Sequence, residues 1–430
     1  MSSESSPTIT KKQSLVILVS SILAALSALA ATVIVKHVFE GAELAEFLLF
    51  WSVLFSLTSI TVGIQPEVTR AVSTARATDA SGVRIVPVVL CFATVAAVIT
   101  LISSLWWAPA QTPSAPLSSA VLVACGVFFY MLQAYCIGTS SGQGQWYLFA
   151  TFGSLEAIGR FILMLLVALI IPQLIPMEFA TVLPMALWVI LVALTVPGRQ
   201  VWTARADVNT RQFAANLGFA LVSAIANSIL ILGFPVILKS AYGELDQIGN
   251  ITLAILILAI SITRSPIMIP LQVFQGVAIT AFVKHKHRPI RAFAKPALAV
   301  LGIGVVGAAG AWLIGPWLFS LLYPAKPSEV EVYAQVVTGP VLGLLVFASA
   351  LLALLTLSGN MVLAIGMHKS YMAGWVLAAL VAIAWVFYMP MSMVENAIGA
   401  LSVGPIIGIL VHLVMSHVRR DKQSSEVGIV

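Results

Sequence analysis

Two ionisable residues stand one helical turn apart in an otherwise apolar stretch, Glu156 and Arg160. At i, i+4 both fall on one helix face, so carboxylate and guanidinium can neutralise each other in place. An ionisable group at a bilayer centre costs about 3 kcal/mol even on a forgiving scale, so it needs a partner or a wet cavity. Two readings follow. Either this face lines a cavity, with Arg160 contacting an anionic headgroup and Glu156 orienting it or carrying a proton, or the pair is a buried bridge that holds its helix in a bundle.

A second constellation is Arg70 and Arg264, each close to a proline that distorts a helix: Pro66 before Arg70, Pro266 after Arg264, with Glu67 and Pro270 beside them. A guanidinium fork matches phosphate oxygens, so these arginines could capture phosphate at an inner mouth; ordinary positively charged anchors are the plainer alternative. Asn227 and Asn360 either point into a polar cavity or bond across helices. Gly307, with Ala311 and Gly315 at successive turns, makes a smooth face for close helix approach. No residue is expected to be catalytic. Cys91, Cys125 and Cys136 lack metal-like spacing and read as small buried hydrophobes, no phosphate-binding loop is present, and neither metal nor cofactor is expected. All four aspartates fall in loops, which leaves Glu156 as the one carboxylate expected to be well buried.

These residues must be carried by membrane helices. A chain of 430 residues that is 60% hydrophobic and 9% charged, with mean hydropathy +1.04, lacks the charge for a soluble surface. Twelve apolar runs read as spans, at 15–36, 44–65, 85–107, 117–138, 146–171, 179–197, 213–238, 248–268, 296–322, 336–364, 370–389 and 394–417. Their length requires helices, since each segment must satisfy its own backbone. With the N-terminus inside, eighteen of the 22 basic residues fall in inner loops, while Lys36, Lys239 and Lys326 join the outer carboxylates Glu40, Glu43, Glu46, Glu178 and Glu244. The net charge of +6 then faces anionic headgroups, and nucleic acid is not an expected partner. Lys11 and Lys12 lead into a run long enough to span, with no small-residue cleavage site before Lys36, so it does not read as a cleavable signal.

The expected organisation is an N-terminal six-helix half at 1–198, a cytoplasmic linker at 199–212, a C-terminal six-helix half at 213–418 and a cytoplasmic tail at 419–430, with both termini cytoplasmic. The first outer turns match: Lys36, Phe39, Gly41, Glu43-Leu44 against Lys239, Tyr242, Gly243, Glu244-Leu245. Even span numbers make this a parallel repeat, and two bundles meeting at a central cavity are the expected architecture. After Pro270, the segment from Leu271 to Val283 and the cluster Lys284-His285-Lys286-His287-Arg288 read as span eight bending along the inner surface.

The run from Tyr135 through Gly138, Gly142, Gly144, Trp146, Glu156 and Arg160 resembles the inner turn and fifth span of polysaccharide-biosynthesis membrane proteins. These are the Wzx-like lipid-linked oligosaccharide flippases of the multidrug/oligosaccharidyl-lipid/polysaccharide (MOP) exporter superfamily, related to the multidrug and toxic-compound extrusion (MATE) transporters. Glu46-Phe47 through Val62-Gly63 to Arg70-Ala71-Val72 is similar to the family's second span, and Arg264 to Gln275 to its eighth. The family places a basic residue after its glycines, where this chain has Gln143 and Gln145. The resemblance implies an all-α, MATE-like membrane fold of twelve helices in the cytoplasmic membrane, and no enzyme activity. It implies a flippase that turns a polyprenyl-phosphate-type sugar lipid from the inner to the outer leaflet by alternating access, for cell-envelope polymer or glycolipid assembly. Arg160 would contact phosphate or sugar, Arg70 and Arg264 would lie at the inner mouth, and Lys36 and Lys239 at the outer. Its partners would be the lipid-linked sugar, membrane lipids and glycosyltransferases of the same pathway. A cation-coupled drug antiporter using Glu156, and a membrane glycosyltransferase using outer carboxylates such as Glu40, Glu43 and Glu46, stay open beside it.

Overall fold

The computed structural model describes residues 11–61, 63–79, 81–284, 289–365 and 367–427. Seventeen α-helices follow one another among the described residues. They are α1 Lys11–Val38, α2 Gly41–Thr61, α3 Ile64–Thr78, α4 Ile85–Gln111, α5 Pro116–Gly142, α6 Trp146–Ile170, α7 Leu174–Val182, α8 Trp188–Leu194 and α9 Val196–Val201, then α10 Thr210–Ile231, α11 Phe234–Tyr242, α12 Gln247–Lys284, α13 Pro289–Leu322, α14 Val330–Val336, α15 Gly339–Ala364, α16 His368–Tyr388 and α17 Met393–Val427. Ten helical runs among the described residues are long and apolar enough to cross a bilayer, so this is a multi-pass membrane protein. The first expected run lies within α1, and the runs differ from those expected at the seventh, which is divided between α10 and α11. The division falls at Gly233, followed by Pro235, which has no N–H to continue the ladder. Elsewhere Pro184 stands in the first turn of a 3₁₀ helix in the middle of Leu174–Leu194. Span eight stays helical through Pro266 and Pro270 to Lys284; the rest of its basic cluster, 285–288, lies outside the described residues.

The chain forms two compact units, Met1–Phe39 with Glu46–Ser228, and Glu40–Ala45 with Ile229–Val430. In the first, α1 packs on α6, while α5 packs on both α3 and α4. Glycine lets α5 approach α3: a Cβ at Gly138 would lie 2.8 Å from the Gln65 carbonyl oxygen, and one at Gly142 would lie 2.8 Å from the Val72 Cβ. The Tyr135-to-Gly144 signature is therefore a packing seam that ends in a turn, where Gly144 takes φ +72°. Gly142→Leu is expected to destabilise the protein by about 2 kcal/mol through overpacking. Gly153→Ala on α6, where a Cβ meets nothing within 4 Å, should leave thermal unfolding in detergent unchanged or raise its midpoint.

The stretch expected to be a linker is tied into the first unit. Residues 82–85 pair antiparallel with 204–208, through Gly82 N–H to the Ala206 carbonyl at 3.0 Å and Ala206 N–H to the Val83 carbonyl at 2.9 Å. In the second unit α15 is apolar all round and buried, with α12, α13 and α17 against it, and α16 packs on α17. Gly304, Gly307 and Gly315 of α13 face α15, where Cβ atoms would meet Ala350, Val346 and Leu342. Each of the two matched turns holds a glycine at positive φ, Gly41 at +54° and Gly243 at +64°, which glycine reaches without a Cβ clash.

Three sequence expectations are corrected. Glu156 is not alone as a buried carboxylate, since Glu46 (6% exposed), Glu178 (0%) and Glu329 (0%) are buried too. Each has found a hydrogen-bond donor. Glu46 accepts from the Ser114 N–H and hydroxyl at 2.8 and 2.7 Å, Glu178 from the Ser119 hydroxyl at 2.8 Å, and Glu329 from the Lys326 N–H at 2.9 Å. Of the cysteines Cys136 alone is buried; Cys91 and Cys125 lie on outward faces of apolar helices. Asp421 sits within α17 rather than in a loop.

Candidate functional site

The buried stripe of α6 runs through Phe152, Glu156, Ala157, Arg160 and Met164, at the three- and four-residue spacing of one helix face. Arg160 and Glu156, each 7% exposed, form an ion pair along that face, with the carboxylate N-terminal to the cation as the helix dipole favours. Two rings of α2 cover the guanidinium. Its carbon lies 4.6 Å from the Phe55 centroid and 5.6 Å from that of Trp51, and the two rings contact each other at 4.5 Å. A desolvated cation over an aromatic face gains about 2 kcal/mol, which offsets part of the cost of burying Arg160. Tyr130 of α5 lies within electrostatic reach of the same charge.

The guanidinium is not saturated. Among the described residues its Nε–H is buried and has no hydrogen-bond acceptor. A buried charged donor without an acceptor is costly, and an incoming anionic oxygen would remove that cost. The same helix α2 carries a polar ladder beside its rings. Ser59 donates to the Ser228 hydroxyl of α10 at 2.6 Å, Ser228 donates to the Ser56 carbonyl, and Ser52 lies a turn further along α2. Sequence reading missed Trp51, Phe55 and these serines. Their signal was present, as aromatic residues at i, i+4 and serines at 52, 56 and 59 in an apolar run.

The other expected site residues are placed elsewhere. Arg70, with a 43% exposed side chain, is clamped at 2.7 Å by Glu67 and at 2.9 Å by Asp207, while Asn216 donates to Glu67 at 3.1 Å. The antiparallel backbone bonds around Ala206 bring Asp207 to it. Exposed pairs are worth under about 1 kcal/mol, so Arg70→Ala should move the thermal midpoint by no more than a few degrees. Pro66 is exposed in the first turn of α3, and Pro266 is exposed on α12. Half-buried Arg264 donates to the Ile231 carbonyl, one of the carbonyls left over at the end of α10. Lys36 is buried in the last turn of α1. Lys239 donates to the Gly243 carbonyl at 2.9 Å, and partial burial lowers its pKa against the opposing pull of Glu244. Asn360 is buried on α15, whereas the Asn227 side chain lies outside the described residues.

No family model matches the chain. It is 30% identical over 370 residues to the uncharacterized protein Rv1510 of Mycobacterium tuberculosis strain H37Rv, covering 85% of this chain and 83% of that one. The chain belongs to the family of that protein. An uncharacterized protein of Mycobacterium bovis is similar at 29% over 372 residues, 86% of this chain and 83% of the relative. The chain has the fold of solved MOP superfamily transporters. It superposes with TM-score 0.67 on an inward-facing multidrug resistance MATE family transporter of that superfamily, at 14% identity over 96% of this chain and 99% of the other. It matches the lipid II flippase MurJ in an inward closed conformation equally well, with TM-score 0.67 and 11% identity over 94% and 87% of the two chains. A MOP superfamily transporter from Pyrococcus furiosus gives TM-score 0.59 at 15% identity, covering 96% and 99%.

Proposed function

We propose that the protein is a flippase that moves a polyprenyl-phosphate-linked sugar lipid from the inner to the outer leaflet of the cytoplasmic membrane by alternating access, for assembly of cell-envelope glycolipid or polysaccharide. Twelve crossings, with both termini inside, belong to this reading. The observation that carries it is the Arg160 guanidinium, buried, seated on Phe55 and Trp51, and left with an Nε–H that has no acceptor among the described residues. A fork of N–H donors in a dry setting suits a phosphate oxygen, and the flanking rings and serines suit the faces and hydroxyls of a sugar. The headgroup then avoids hydrocarbon while its tail need not. Arg70 would meet the headgroup first, releasing Asp207 as it does so. Since folds with opposite cargoes match the chain equally well, the site and not the fold separates them.

A second reading, a cation-coupled multidrug antiporter, has its own support in the buried carboxylates Glu46 and Glu178, groups of the kind that bind a coupled cation. Against a cationic cargo at the α2–α6 site stands Glu156 itself, whose charge Arg160 already neutralises. Purified protein should bind a soluble polyprenyl phosphate with affinity lost in Arg160→Ala, and should not bind rhodamine-type cations at that site. Cation binding that survives Arg160→Ala and vanishes in Glu178→Gln, without phosphate binding, would favour the antiporter.

A further inference from the structure

The second unit contains a titratable group that sequence reading passed over. His412 of α17 is fully buried, with its imidazole held at both nitrogens. Nε2 lies 3.2 Å from the Tyr371 carbonyl of α16, and Nδ1 lies 2.8 Å from the Ser358 hydroxyl of α15. A carbonyl can only accept, so Nε2 carries a proton. The Tyr371 ring lies parallel to the imidazole with centroids 6.4 Å apart. The ring fits against α16 because residue 374 is glycine: a Cβ there would lie 2.1 Å from Nε2.

The state of Nδ1 turns on a single hydrogen. The Ser358 hydroxyl is also 2.9 Å from the Leu355 carbonyl, and it has one proton to give. When the imidazole is neutral, Ser358 donates to Nδ1. When Nδ1 is protonated, Nδ1–H donates to the Ser358 oxygen and the hydroxyl turns to Leu355. Both states are fully hydrogen-bonded with no heavy atom moved. A proton arriving at Nδ1 therefore finds its acceptor, and that acceptor's own outlet, already in place.

Among the described residues its charge has no counterpart nearby. α15 carries no ionisable side chain. α16 contributes Tyr371 in contact, with His368 and Lys369 in its first turn. The charged groups of α11, α12 and α13, namely Lys239, Arg264, Lys284, Arg291 and Lys295, are basic, and Tyr242 is neutral. On α17 itself, beside His417, Arg419, Arg420 and Lys422, the carboxylates are Glu395, about 25 Å away along the helix, Asp421, about 13 Å away, and Glu426 beyond it. An imidazolium here is hydrogen-bonded but unpaired, and water would stabilise it better than the dry interior does.

We propose that His412, Ser358 and the Tyr371 carbonyl form a proton-binding site whose occupancy favours a wetter arrangement of α15, α16 and α17. On the transport reading above, this makes the proton the coupling ion. The test uses full-length protein in nanodiscs. Histidine ¹⁵N spectra from pH 5 to 8.5, with His412→Gln to assign the signal, should show Nδ1 gaining a proton. Hydrogen exchange along α15–α17 should rise at least fivefold beyond its intrinsic pH dependence at low pH in the wild type, and not in His412→Gln. Ser358→Ala, which removes the relay but keeps the ring, should change the pH at which Nδ1 titrates. A His412 signal fixed in one state across the range, or an exchange response that persists in His412→Gln, would overturn the proposal. Neither measurement needs a transported substrate. Titration in a protein that flips no lipid-linked sugar would leave this site standing while the flippase reading fell.

Discussion

Arg160→Ala is expected to slow transfer of a lipid-linked sugar across the bilayer by about 100-fold. Charge-assisted bonds to phosphate are worth about 1.5–3 kcal/mol each, and losing about 2.7 kcal/mol of them is a 100-fold change. Arg160→Lys should lose about tenfold. Lysine keeps the positive charge but gives up the planar fork and its stacking on Phe55 and Trp51. Initial rates in proteoliposomes containing matched amounts of folded protein measure both, and a wild-type rate in Arg160→Ala would remove the guanidinium from the account. The alanine variant should remain folded, because a buried carboxyl left without its partner can take up a proton and become neutral.

The partner substitution should have the opposite profile. Glu156→Ala leaves a guanidinium buried at 7% exposure that cannot shed its charge, at a cost of about 3–5 kcal/mol in stability. Combining Glu156→Ala with Arg160→Leu removes both charges, and the double variant should recover most of that loss. The reading is thermal unfolding in detergent across the four proteins of the cycle. If Glu156→Ala were no less stable than Arg160→Ala, the pair would not be the dry bridge that α6 and α2 build. The double variant also separates two roles, since it should be stable and yet inactive.

How much of this was legible in the chain depends on the range of each interaction. The Glu156–Arg160 pair follows from spacing on one helix, and the glycines of the matched turns, Gly41 and Gly243, follow from a local need for positive φ. Long apolar runs disclose membrane helices because the bilayer leaves no other way to satisfy the backbone. What stayed hidden is tertiary. Nothing near Arg70 announces Asp207, which arrives from 137 residues away on the extended segment that bonds to residues 82–85. Trp51 and Phe55 read as ordinary apolar residues until α6 places a cation on them. Glu178 looks like a loop carboxylate by charge pattern, but inside a span it accepts from Ser119 at one oxygen. His412, a lone histidine in an apolar helix, has meaning through Ser358 and Tyr371 on two other helices.

On the proposed function, an anionic sugar-lipid headgroup crosses the bilayer by way of Arg160. The most direct measurement reconstitutes the protein into liposomes carrying a radiolabelled polyprenyl-phosphate sugar, then follows its exposure to a membrane-impermeant oxidant over time. Protein-dependent exchange between leaflets, lost in Arg160→Ala and retained in Arg70→Ala to within a fewfold, is the result the account predicts. A leaflet distribution the same with and without folded protein, while cationic dye leaves the same vesicles, would contradict it.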